Sequence, residues 1–294
     1  MGISREQALD CFRSDDLVGI GMEADAVRRR LHPEGVVSYA IDGLVDCGAA
    51  RDLGAVCGAV DEVFESGATG VRLLGAADGE RIEALLRGIR KASPAVWIEA
   101  LTGAEVKSIA ADWGLGLHET IGRLMNAGMD SIVADGVGLA AGNVAEWAEV
   151  HRAAHGCGMR TAAEMVFGDG ETIESRMDFL ETVRRLQEET GGFAAFAPVA
   201  AEAPNGRELD GVTAVERLKT LAIVRMFLDN IENVQASGTA QGLKVLQMGL
   251  RFGANDVGPV RPSAGSEEDV RRIIRDAGFR PAQRDMAYRA MMLS

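Results

Sequence analysis

The chain has 294 residues and a formal net charge of -13, with 44 Asp and Glu against 31 Lys and Arg. No cluster of Lys and Arg interrupts that acidic average, which excludes nucleic acid as an expected partner. With 47% hydrophobic residues and a mean hydropathy of +0.02, it carries enough apolar material for a large core, which excludes wholesale disorder.

At the N-terminus, MGISREQALDCF is charged and lacks a continuous apolar stretch. No later segment reaches the ~18 uncharged apolar residues needed to span a bilayer, so a cytoplasmic protein with no membrane partner is expected. Ser4, with Gln7 three residues on, predicts a capping box, and SDDLVGIGMEADAVRRRLHP continues helically, so residues 1–34 read as N-terminal helices. From about residue 35 a unit recurs in which an amphipathic helix ends in Gly and leads within two or three residues into an apolar run, as in ESGATGVRLLG and NAGMDSIVADG. Eight such runs are predicted as strands, at 36–42, 70–75, 96–102, 131–137, 161–167, 193–199, 233–237 and 253–258. They lack strict polar alternation and are bracketed by helical periodicity, which suits parallel strands covered by helices. Eight strands alternating with helices predict an α/β chain folded as a single (β/α)8 TIM-type barrel over 35–260, with extra N- and C-terminal helices. A doubly wound open sheet would use the same pattern. At the C-terminus, 261–294 reads as an extension containing the helix GSEEDVRRIIRDAGF, and MAYRAMML is read as packing across the barrel bottom or onto a second subunit. The seven prolines form no linker tract, so residues 1–294 are read as one domain.

In such a barrel, ligands sit at the C-terminal strand ends. Glu99 and Glu164 stand out because each is a carboxylate inside an otherwise apolar strand, costly unless paired or hydrated. They are read as a ligand-anchoring or acid/base pair, against the plainer alternative that Arg72 neutralises one of them. Thr102 and Asp135 end the third and fourth strands, and Gln235, Ser237 and Gln241 lie in NVQASGTAQG. Asn255 and Asp256 end the eighth, with capping or turn formation as their alternative role. His151 and His155 are spaced i,i+4, but no HExxH pattern exists, and helix-end cations favouring the dipole explain them better than zinc. Gly-rich FGDGE and LLGAADGE could offer backbone NH groups to a phosphate, although neither has a full phosphate-binding fingerprint. Cys11, Cys47, Cys57 and Cys157 are scattered, which signals neither a disulfide framework nor a sequence-local metal site.

The runs LQEETGGFAAFAP, AVERLKTLAIVRMFLDNIENVQASGTAQGLKVLQMGLRFGANDVG and VRRIIRDAGFRPAQRD closely resemble the radical S-adenosylmethionine enzymes of the futalosine route to menaquinone. MEADAVRRRLHPEGVVSYAID, GLGLHETIGRLMNAGMDSIVADG and EVHRAAHGCGMRTAAEMVFG fit the same family, so the resemblance covers nearly the whole chain in order. It implies a barrel whose first strand leads into a CxxxCxxC loop, three thiolates holding a [4Fe-4S] cluster, and one iron left for S-adenosylmethionine. Here VVSYAID is followed at once by GLVDCGAARDLGAVCGAV, with only Cys47 and Cys57 nearby. No cofactor is therefore expected. The resemblance also makes the polar residues of the seventh and eighth strands, Gln235, Ser237, Asn255 and Asp256, pocket-lining. The expected function is a degenerate, cluster-free homologue that keeps a barrel-mouth pocket for a small nucleoside-like or aromatic ligand, or serves as a non-catalytic partner in a homodimer or with an active paralogue. Two alternatives stand beside it: a cluster-independent acid/base enzyme using Glu99 and Glu164, and an engineered, minimised scaffold.

Overall fold

The structure, a computed structural model, describes residues 2–48, 52–75, 78–134, 136–138, 143–201, 212–236, 242–260, 267–289 and 291–293. Asp135, Gln241 and Ser237 lie outside the described residues. Two helices, α1 (Arg5–Arg13) and α2 (Leu17–Leu31), come first. Ser4 and Gln7 form the expected capping box, each side chain accepting from the other's backbone N–H.

The alternation then runs β1 (Val36–Asp46), α3 (Leu53–Glu65), β2 (Gly70–Leu74), α4 (Gly79–Ala92), β3 (Trp97–Ala100), α5 (Gly103–Trp113), α6 (Leu117–Ala127), β4 (Gly136–Gly138), α7 (Val144–Gly156) and β5 (Thr161–Phe167). It continues with α8 (Ile173–Thr190), β6 (Phe193–Ala200), α9 (Ala214–Phe227), β7 (Asn233–Val234), α10 (Leu243–Arg251), β8 (Asp256–Val260), α11 (Glu267–Asp276), β9 (Arg280–Arg284) and β10 (Met291–Leu293). Strands β1–β2–β3 and β4–β5–β6–β7 pair in parallel. Bridges Glu99↔Ser131 and Gln235↔Asp256, with the β1–β8 pairing, join the two arcs into the closed ring of a (β/α)8 barrel. Apolar faces of the helices pack on the outside of that ring. Phe167, Phe179, Phe193, Phe196 and Phe227 fill the side under α8 and α9, while Val and Ile side chains of β2, β3, α4 and α5 fill the other.

The C-terminal extension departs from the expectation of helices alone. After α11 the chain returns as β9, which pairs in parallel with Val36–Tyr39 of β1 and antiparallel with β10. Overlapping residues of β1 pair with β8, so β9 occupies the edge that β2 takes over from Asp42 onward. The turn after β9 passes under the start of β2: a Cβ on Gly70 would lie 2.6 Å from Cγ of Met286, so only glycine leaves room for that methionine. Packing across the barrel bottom is thus carried by Met286, Ala287 and Tyr288.

The histidine pair also departs from expectation. His151 packs against Trp147 and Phe193 with no exposed surface, and its Nδ1 is 2.9 Å from the hydroxyl of Thr161. His155 reaches the same hydroxyl through Nε2 (2.9 Å) and Thr190 through Nδ1 (2.7 Å). Thr190 gives its own proton to the Leu186 carbonyl, so it accepts from His155 Nδ1–H. Thr161 then donates to the bare Nε2 of His155 and accepts from Nδ1–H of His151. Both rings are neutral: burial lowers His151 to about 3 and His155 to about 4, away from the dipole-favouring cations expected.

Because both values lie below the ordinary His range, the unfolded chain takes up protons between pH ~6.5 and the folded-state values that the folded chain refuses. Stability is therefore full above that window and falls as the pH falls through it. By pH 5, His151 alone accounts for about 2 kcal/mol. Urea unfolding at pH 7.5 and pH 5 is expected to show this loss, and H151Q to flatten it; an equal loss in the variant would contradict neutral burial.

Candidate functional site

β-strand alternation places Arg72 on β2 beside Glu99 on β3 in adjacent register, and the two side chains meet inside the barrel at 2.6 Å. Glu99 is 7% exposed, so the carboxylate sits in an environment where an unpaired charge would be costly. Arg72 opposes this cost: desolvation lowers its proton affinity, and Glu99, Glu164 and Asp42 together more than restore it. Glu164, on β5, is thus within electrostatic reach of the same guanidinium. The plainer alternative, that Arg72 neutralises one glutamate, holds for Glu99.

A second polar layer is built around Asp256, the first residue of β8 and fully buried. It receives Nε (2.6 Å) and Nη2 (2.9 Å) of Arg284, the Gly258 N–H (2.7 Å), the hydroxyl of Ser38 and that of Tyr288 (3.1 Å). Gln235 donates to the Tyr288 oxygen at 2.7 Å, and the Arg284 guanidinium stacks on the tyrosine ring. The ion pair strengthens the charge on Arg284, whereas burial raises the phenol of Tyr288 and keeps it a donor.

Between the two layers lies a cavity of about 60 Å³. Arg72, Glu99, Glu164, Gln235, Arg284 and Tyr288 supply its polar wall. Trp97, Thr161, Ala162 and Ala194 stand at the beginnings of β3, β5 and β6. The space therefore extends toward the N-terminal end of the barrel; much of the C-terminal face, where the sequence placed the pocket, lies outside the described residues.

Other expected residues have different tasks. Thr102 caps α5, sharing a reciprocal capping box with Glu105. Asn255 is buried away from the cavity: its Oδ1 accepts from Arg225 (2.5 Å) and the Val234 N–H (3.0 Å), and its Nδ2 donates to Asn233. It compensates Arg225, a fully buried cation whose other bonds go to the carbonyls of Gly253, Ile231 and Glu232, so the pocket-lining role is corrected to a structural one. The FGDGE loop does expose backbone NH groups, but Glu171 fills them itself, accepting from Gly168 (2.8 and 2.9 Å) and Asp169 (2.9 Å) and pairing with Arg176. Sequence reasoning missed Ser38, Arg284 and Tyr288; a buried serine in the first strand and an Arg-Asp pair in PAQRD were the only signals for them.

The cysteines do not fit a three-thiolate cluster. Cys47 is fully buried at the end of β1, and Cys57, on α3, packs against the same apolar layer between helices and strands. Burial raises both thiols, the reverse of what thiolate ligands need. Cys11 lies on α1 and Cys157 ends α7 beside His118. Among the described residues no three His, Cys, Asp or Glu side chains converge as metal ligands.

Residues 191–294 match the family described as the CofH/MqnC C-terminal region. The chain is 31% identical to cyclic dehypoxanthine futalosine synthase of Streptomyces coelicolor, over 99% of this chain and 86% of the relative. That alignment runs over 344 positions and this chain has 294 residues, so at least 50 positions of the relative face gaps. It is 29% identical to aminodeoxyfutalosine synthase of Thermus thermophilus over 92% and 78% of the two chains. It is 33% identical to 5-amino-6-(D-ribitylamino)uracil–L-tyrosine 4-hydroxyphenyl transferase of Methanothermobacter thermautotrophicus over 70% and 65%. Among solved structures, methylornithine synthase superposes with a TM-score of 0.69 at 14% identity, over 96% of this chain and 95% of that one, a likeness of fold.

Removing one partner of a buried pair leaves the other uncompensated. D256A is expected to cost about 3–5 kcal/mol of stability, and the double variant D256A/R284M to recover more than half of it. Chemical denaturation of both variants checks this, and additive losses would show that the two charges do not depend on each other.

Proposed function

Because this chain belongs to the radical S-adenosylmethionine family of the futalosine route to menaquinone, we propose that it is a cluster-free member which holds a small nucleoside-like or aromatic ligand inside the barrel. The observation that carries this reading is the interior cavity, walled by the Arg72–Glu99 pair, Glu164 and Gln235 beside the faces of Trp97 and Tyr288. Aromatic side chains beside a few fixed polar groups are the make-up of a small-molecule site. Glu99 and Arg72 orient one another on the cavity wall, and Glu164 lies within electrostatic reach of the same guanidinium, so the wall presents fixed, charged groups to a polar ligand. The burial of Cys47 and the scattering of the other three thiols over α1, α3 and the end of α7 support the cluster-free half of the proposal. The Arg72–Glu99 pairing disfavours Glu99 as a free proton shuttle, so binding is preferred over acid/base catalysis.

Two measurements test the reading. Anaerobic reconstitution with iron and sulfide is expected to give well under one [4Fe-4S] cluster per chain; a stoichiometric charge-transfer band abolished by C47A would overturn it. Titration calorimetry with adenosine, inosine and 4-hydroxybenzoate as probes is expected to detect binding of at least one, weakened about tenfold by E164Q, or about 1.4 kcal/mol. Silence with all three would remove the ligand.

A further inference from the structure

Three arginines line the interior cavity: Arg72, Arg160 and Arg284. Two are matched, Arg72 by Glu99 and Arg284 by Asp256, each pair at 2.6 Å. Arg160 differs. Its backbone carbonyl accepts from the Ser131 hydroxyl, but among the described residues its guanidinium has neither an ion pair nor a hydrogen bond, although the residue is half-buried. The alternation of β5 sets where that side chain stands. The hydroxyl of Thr161 meets His151 and His155 on the helix side, so Arg160, Ala162 and Glu164 share the inward face. Arg160 therefore marks the N-terminal end of the cavity, and Glu164 lies about 13 Å deeper along the strand, with only the methyl group of Ala162 between them. On β3 the same two levels are taken by Trp97 and Glu99.

We propose that Arg160 is an anion-recognition residue, and that the N-terminal end of the cavity takes the oxyanion group, carboxylate or phosphate, of a small ligand. A guanidinium is a planar fork of N–H donors that matches an oxyanion in two parallel bonds, and a half-buried one is screened by water less than one on the open surface. A cavity of about 60 Å³ has room for a group of a few heavy atoms, which suits the charged end of a ligand. Its nearest small neighbours, Ala162 and Ala194, bring no side-chain acceptor that would compete for the guanidinium. The carboxylates of Glu99 and Glu164 at the deeper level repel a second anion, so negative charge is confined to the Arg160 end and the ligand is held in one direction. This role for Arg160 rests on the reading that the cavity holds a ligand, and it fixes which end of that ligand is charged.

Phenylglyoxal modification of the unaltered chain, mapped peptide by peptide, reads each guanidinium directly. Arg160 is expected to react while the paired Arg72 and Arg284 stay unmodified. Acetate, raised well above its dissociation constant, is expected to slow the reaction at Arg160 by about tenfold, and acetamide, its neutral isostere, to leave the rate unchanged. Inorganic phosphate is titrated alongside, and the stronger protector of the two identifies the group the site prefers. Three results overturn the proposal: Arg160 as unreactive as Arg284, Arg160 protected by neither anion, or a slowing matched at Arg185, 77% exposed on α8, which would mean an adventitious ion only. Protection of Arg160 in a chain that binds none of the three calorimetric probes upholds the oxyanion site and removes only the larger ligand. Binding of adenosine with Arg160 unprotected does the reverse.

Discussion

A carboxylate with no exposed surface at the start of β8 and a guanidinium 2.6 Å away on β9 set the terms for the lower half of this barrel. Neither charge could be buried alone, since desolvating a single ion costs several kcal/mol. Once Asp256 is inside, a strand must be brought to it with a cation at the right register. That strand is β9, and the need explains why the chain adds it beneath β2 instead of ending on the eighth strand. The hydroxyls of Ser38 and Tyr288 and the Gly258 N–H complete the acceptor capacity of the carboxylate, leaving a layer in which each member is oriented by another. The cavity above that layer inherits its shape from it.

The relation to the family then divides by region. What the family shares with this chain is the helix–strand frame and the C-terminal third, where apolar contacts between α8, α9, α10 and the sheet are dense. After β1 this chain carries Cys47, buried, and Cys57, half-buried on α3, both set in apolar packing. The interior polar groups sit on the strands of that frame, which gives the walled space its directional hydrogen bonding.

The strands were legible because glycine-terminated helices feed directly into β-branched runs; four predicted segments, 70–75, 96–102, 161–167 and 233–237, contain a strand of the barrel ring whole, and the other four overlap β1, β4, β6 and β8, with 131–137 including the Ser131 bridge. β9 was not legible, because RPAQR has no apolar run: its pairing is dictated by backbone bonds to β1 and by Arg284, neither of which leaves a periodic trace. Glu99, Glu164 and Gln235 could be recognised as interior from their apolar surroundings, but the residues 286–288 that line the same cavity come from the turn after β9, which no periodicity announces. The histidines misled because i,i+4 spacing at a helix end reads as surface charge, whereas Phe193, whose ring packs on both of them, comes from β6, distant in sequence. Asn255 misled for a similar reason, as its partner Arg225 enters from α9.

The shared edge of β1 has a consequence for how the chain reaches this state. Strand β1 pairs with β9 at one level and with β2 at the next, and Arg280 bonds to Glu34 across 246 residues of sequence. As the polypeptide leaves the ribosome, the lower edge of the first strand stays unmatched until residue 284 has emerged, and Asp256 waits for its counter-charge over the same interval. Late-closing, long-range pairing of this kind slows folding and leaves an exposed strand edge during synthesis. The nascent barrel is therefore most open to mispairing with other chains at the edge that its own final segment later covers.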